Sequence, residues 1–180
     1  MKHTLTLLLA TGTLLGLGAC KSTEMTEAET VDFHQWAATP PMGWNSWDIF
    51  GTAITEKQAR EQADAMAKHL LPAGYDIFTV DIQWYQPSAT THYYDTDAIY
   101  NLSMDEFGRL TPAVNRFPSA EGGKGFKPLA DYVHSLGLRF GIHIMRGIPK
   151  QAVEENSPVL GTDLRARDVA DTDSTCPWNP

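Results

Sequence analysis

Two hydrophobic periods alternate along this chain, and between them they outline its elements. From residue 55, apolar side chains recur at helical spacing as Ala59, Ala63, Met66, Ala67 and Leu70, which predicts one amphipathic helix. Thr55 and Gln58 have the spacing of a capping box at its start, and Pro72 with Gly74 end it. Residues 75–81 are rich in aromatic and β-branched side chains and read as a strand. Residues 129–136 form a second helix, with Pro128 in its first turn and Gly137 fitted to the left-handed position after its end. Residues 139–145 read as a further strand, and residues 42–47, after the extended Pro40-Pro41, as an opening one. The order strand, helix, strand, helix, strand requires a parallel sheet. Such sheets belong to doubly wound folds or to barrels, and the pattern alone does not separate the two.

The remaining stretches are less regular. Residues 85–125 are polar and long for a connection, which marks them as functional. Residues 147–180 read as loop, with no fourth strand. At the other end, Met1-Lys2-His3 precedes an apolar run over residues 5–17, too short to span a membrane and suited to a signal peptide. Its end, Leu17-Gly18-Ala19-Cys20, resembles a bacterial lipoprotein processing site, so residues 1–20 are expected to be a lipoprotein signal and Cys20 the lipidated residue. An ordinary secretory signal beside a cysteine is the alternative. Residues 21–38 are mostly polar and read as a tether, although Val31, Phe33 and Trp36 could pack on the domain. The expectation is an exported lipoprotein held at a membrane by its lipid, facing the periplasm or the cell surface.

Composition narrows the partners. The 180 residues are 42% hydrophobic, a globular value, and carry a formal charge of −8 with only 14 Lys and Arg. Without a basic cluster, a nucleic-acid partner is excluded as the default. His69, His92 and His134 lack metal-ligand spacing, and Gly122-Gly123-Lys124-Gly125 lacks the preceding strand of a phosphate loop. If Cys20 is acylated, Cys176 is left either as a free thiol or as a disulfide cysteine whose partner lies outside the 180 residues.

The runs Pro40-Pro41-Met42-Gly43-Trp44-Asn45-Ser46-Trp47-Asp48 and Val80-Asp81-Ile82-Gln83-Trp84 resemble the first two strands of the α-galactosidase (melibiase) family of glycoside hydrolases. Gly108-Arg109-Leu110, Arg116-Phe117-Pro118 and the stretch 129–142 are similar to later segments of that family, in the same order. The resemblance implies a (β/α)8 barrel, with residues 39–180 covering its first three strands, and a site at the strands' C-terminal ends. It implies retaining hydrolysis of terminal α-D-galactosyl residues from oligosaccharides, without cofactor, by two Asp about 5 Å apart. Those carboxylates belong near the fourth and sixth strands, so no catalytic residue is expected within these residues, and the piece alone is expected to be inactive.

What the resemblance assigns here is part of the sugar pocket. Asp81 matches an Asp that binds galactose hydroxyls, and its alternative role is to cap a loop at a strand end. Trp47 matches an aromatic wall, or is simple core packing. Trp44 and Trp84 are expected to be scaffold. Two positions depart from the family pattern. Ile82 stands where the family has a second Asp, and an unpaired buried hydroxyl there costs about 1–3 kcal/mol. That favours a sugar lacking C6 and raises β-L-arabinopyranosidase as the alternative activity, provided that the chain turns between 81 and 82, since strict alternation would point them to opposite faces. His143 stands where the family commonly has Tyr; it either meets the sugar or fills the barrel interior. Arg146 is expected to be solvated. A non-catalytic carbohydrate-binding lipoprotein is the reading from another class.

Overall fold

The computed structural model describes residues 39–90 and 101–173. Contacts divide the chain into Met1–Ala38 and Thr39–Pro180, and the described residues all belong to the second unit. The signal segment, the tether, Cys20, His92 and Cys176 lie outside the described residues.

Three short strands form one parallel sheet in the order β1 (Gly43–Asn45), β2 (Ile77–Val80), β3 (Arg139–Ile142). Gly43 pairs with Ile77, and Ile77 in turn with Arg139, so the strands start in step. The two crossovers carry α2 (Glu56–His69) and α3 (Lys127–Ser135), as the hydrophobic period requires. A shorter helix, α1 (Trp47–Phe50), follows β1 directly. At the start of α2, Thr55 Oγ1 accepts the Gln58 N–H at 3.4 Å and Gln58 Oε1 accepts the Thr55 N–H at 2.9 Å. These bonds close the expected capping box and satisfy two otherwise orphaned donors. At the end of α3, Gly137 takes φ +82° and its N–H donates to the His134 carbonyl at 2.9 Å.

The core lies between the sheet and these two helices. Ala59, Ala63 and Met66 of α2, and Leu129 and Val133 of α3, pack with Phe78 and Val80 of β2. Phe126 meets Trp84, Phe117 and Phe140 at centroid distances of 5.1, 5.2 and 5.5 Å, within the range of favourable aromatic pairs. Gly43 is required where it stands: a Cβ there would lie 2.3 Å from the Ile77 carbonyl oxygen of the neighbouring strand.

The loop reading of residues 147–180 is corrected within the described part. Lys150–Glu155 form α4 and Ala166–Val169 form α5. Both are too short to show a period, and isolated helices of that length are unstable. Their ends are tied by side chains instead. Arg167 donates from Nε to the Val153 carbonyl at 2.9 Å and from Nη2 to that of Glu154 at 2.6 Å. Asn156 closes α4 with a left-handed φ of 53°. The third strand also stops at Ile142, short of the expected residue 145.

Candidate functional site

Asp81 is the first residue beyond β2, and three neighbours fix its place at the C-terminal end of the sheet. Its N–H donates to Ser46 Oγ at 2.9 Å. Ser46, fully buried, donates its own N–H to the Thr79 carbonyl at 3.1 Å, so the chain leaving β1 stays beside β2. On the other side, the His143 N–H donates to the Val80 carbonyl at 2.9 Å and prolongs β3 past its last paired residue. Val80 is in register with Ile142, so Asp81 and His143 are the next level of the sheet and share a face.

The two side chains meet. Asp81 Oδ1 lies 2.8 Å from His143 Nδ1 and also accepts the Ile82 N–H at 2.6 Å. A carboxylate only accepts, so this contact puts the imidazole proton on Nδ1 and leaves Nε2 of the neutral ring as an acceptor. The Asp81 side chain is 9% exposed and that of His143 54%, so the pair has a closed end and an open one. Asp81 Oδ2 has no hydrogen-bond partner among the described residues. Hydroxyl groups that donate are what such an arrangement can bind.

The other sequence candidates fall as follows. Trp47 opens α1, immediately after Ser46, is half-buried, and donates its N–H to Asn45 Oδ1 at 2.8 Å. It therefore leaves the same end of the sheet as Asp81. Ile82 is 3% exposed, and the left-handed residue of this loop is Gln83, with φ 62°. Trp84 is scaffold: it is buried and its Nε1–H donates to the His143 carbonyl at 2.9 Å, bracing the loop that carries the histidine. Trp44 stacks on Phe78 at 4.9 Å. Arg146 is exposed. No group of His, Cys, Asp or Glu among the described residues has the geometry of a metal site.

Two residues at this end escape sequence reasoning. Ser46 carries no signal of its own beyond its place between two tryptophans. Arg116 is marked only by its Arg-Phe-Pro run, yet it is buried and its guanidinium donates to four backbone carbonyls. Those of Gln83, Gln86 and Ile54 accept at 2.8, 2.9 and 2.7 Å, and that of Thr52 accepts as well. Burial pushes its pKa down to about 10, so it stays charged at neutral pH.

A separate cleft of about 560 Å³ opens beside β3 and is lined by apolar side chains, among them Phe107, Leu110, Ile142, Ile144 and Leu160. Neither Asp81 nor His143 lines it. Its chemistry offers a sugar little to bond, and the polar end of the sheet is the better candidate.

A family model described as alpha galactosidase A, of the melibiase type, matches residues 39–170. The chain belongs to the melibiase family. Among solved structures, a GH27 β-L-arabinopyranosidase from Geobacillus stearothermophilus in complex with arabinose is 61% identical, with a TM-score of 0.79, over 83% of this chain and 34% of that one. Among curated proteins, the α-galactosidase of Cyamopsis tetragonoloba is 38% identical over 68% of this chain and 27% of its own length. That of Coffea arabica is 42% identical over 58% and 23%. The chain thus spans about a quarter of the length of these curated relatives. Its fold is the α/β one of the melibiases: three neighbouring parallel strands of a (β/α)8 barrel with their covering helices.

Proposed function

We propose that this chain is the amino-terminal part of an exported, lipid-anchored retaining exo-glycosidase that removes terminal β-L-arabinopyranosyl groups. The observation that carries the reading is the Asp81–His143 pair at the C-terminal end of the strands, where barrels of this kind hold their sites. Asp81 Oδ2 and His143 Nε2 give two acceptors for neighbouring sugar hydroxyls, and charge-assisted bonds to the carboxylate are the stronger kind. Hydrolysis itself needs two further carboxylates, one to attack the anomeric carbon and one to protonate the leaving oxygen.

The choice of sugar rests on residue 82 and on the likeness to the arabinopyranosidase. β-L-Arabinopyranose is α-D-galactopyranose without C6. The Ile82 side chain offers no acceptor, so where it faces C6 of the sugar, galactose gains no hydrogen bond from its 6-OH. Hydrolysis of α-galactosides is the second reading, supported by curated relatives at 36–42% identity. The test is to assay the complete polypeptide on nitrophenyl β-L-arabinopyranoside and α-D-galactopyranoside. We expect kcat/KM to favour the arabinoside by about tenfold or more, and Ile82→Asp to narrow that gap, as one hydrogen bond is worth. A preference for the galactoside that Ile82→Asp leaves unchanged would sink the arabinoside reading. Sugar binding without turnover of either compound would favour a carbohydrate-binding lipoprotein.

The anchor rests on Leu17-Gly18-Ala19-Cys20. Cells expressing the protein should yield a species carrying diacylglycerol on Cys20 that partitions into detergent, and Cys20→Ser should abolish both mass shift and partitioning. An unlipidated mature protein would reduce the leader to an ordinary secretory signal.

A further inference from the structure

We propose that Arg116 is a positioning residue that sets the two sugar-contacting loops against each other. This rests on the functional reading above, in which Trp47 and Asp81 contribute to one pocket. The loop after β1 runs from Ser46 to the start of α2, and the loop after β2 begins at Asp81. The Arg116 guanidinium joins them: Nη2 donates to the carbonyls of Thr52 and Ile54 in the first, Nη1 to those of Gln83 and Gln86 in the second. Only a planar fork can serve four acceptors in two directions from one point, which an ammonium group cannot do.

The charge has no carboxylate partner among the described residues, and its Nε is buried without a hydrogen bond. A buried cation ordinarily requires an opposite charge. Here the compensation is the four carbonyl dipoles, so the residue's contribution is tied to the two loops rather than to an ion pair. Its own support is firm. The Arg116 carbonyl accepts the Glu56 N–H at 2.9 Å at the start of α2, and the neighbouring Phe117 is in the core. One held loop is under strain: Gln83 takes a left-handed φ of 62°, which side chains seldom adopt, and its carbonyl is one of the four acceptors. Two residues before it stands Asp81.

The experiment compares Arg116→Lys with the unsubstituted complete polypeptide on nitrophenyl β-L-arabinopyranoside. In folded Arg116→Lys, KM should rise about tenfold or more while kcat changes less than about threefold, since misplaced loops weaken binding before they alter the chemistry. Adding Gln83→Gly, which removes the strain, should recover part of the loss. A folded Arg116→Lys with KM within about twofold of the original overturns the inference. Should the lysine variant not fold, hydrogen exchange on the unsubstituted protein decides. On saturation with L-arabinose, residues 52–54 and 83–86 should gain protection together, and protection of one segment alone overturns the coupling. An unsubstituted protein that neither turns over nor binds either sugar overturns the functional reading, and with it this role for Arg116, whatever the variants do.

Discussion

Single side chains at the C-terminal end of the sheet do two kinds of work, and Glu56 shows how closely they are joined. Its carboxylate takes Arg60 Nε and Nη2 on Oε1 at 2.9 and 2.7 Å, and the Ser119 N–H on Oε2 at 2.8 Å. Burial alone would raise its pKa, but the Ser119 amide and the Arg60 guanidinium together hold it below the ordinary 4.5. The folded-state value is thus depressed, so the stability Glu56 adds is complete above 4.5 and lost as the pH falls through the lower folded value. Urea midpoints of the complete polypeptide should fall more steeply between pH 6 and 3 than those of Glu56→Gln; parallel curves would show that the carboxylate is not held as described. Glu56 also donates its backbone N–H to the Arg116 carbonyl, a bond that does not depend on the charge of its carboxylate. Asp81 is organised differently: Oδ1 is committed to the protein and Oδ2 is left for a donor.

At the scale of elements, the long helices and the parallel order of strands are legible in the sequence, because a period of 3.6 over fourteen residues and its caps are local facts. The short helices are not. α1, α4 and α5 have four to six residues, too few to show a period, and α4 and α5 are tied to each other across the chain, as by Arg167 on the carbonyls of Val153 and Glu154. Strand β1 has only three residues, and what fixes it is close approach to β2. Gly43→Ala should therefore destabilise the complete protein by about 1–3 kcal/mol, because the added methyl meets backbone that cannot move aside. Removal of the α2 cap by Thr55→Ala should cost about 1 kcal/mol. Urea denaturation of both variants checks the order; Gly43→Ala as mild as Thr55→Ala would contradict the tight β1–β2 contact.

On the scale of the whole molecule, three strands cannot close a barrel. Among the described residues β3 pairs only with β2, and the apolar cleft beside it exposes Ile142 and Ile144 by about half. An uncovered strand edge with apolar side chains beside it invites association. Residues 39–180 expressed alone should self-associate and hydrolyse neither nitrophenyl glycoside. A monomeric, cooperatively melting sample with turnover would overturn that expectation, and light scattering with a simple absorbance assay decides it. The family, the barrel and the place of Asp81 at a strand end could be read from ordered runs of residues, since each run is contiguous. The Asp81–His143 contact joins residues 62 apart in sequence and the Arg116 clamp residues up to 64 apart. The sequence by itself determined the three strands, the two long helices between them and the family. Only the tertiary structure decided which side chains meet, because side-chain pairing at the end of a parallel sheet depends on the register between strands that a whole crossover separates.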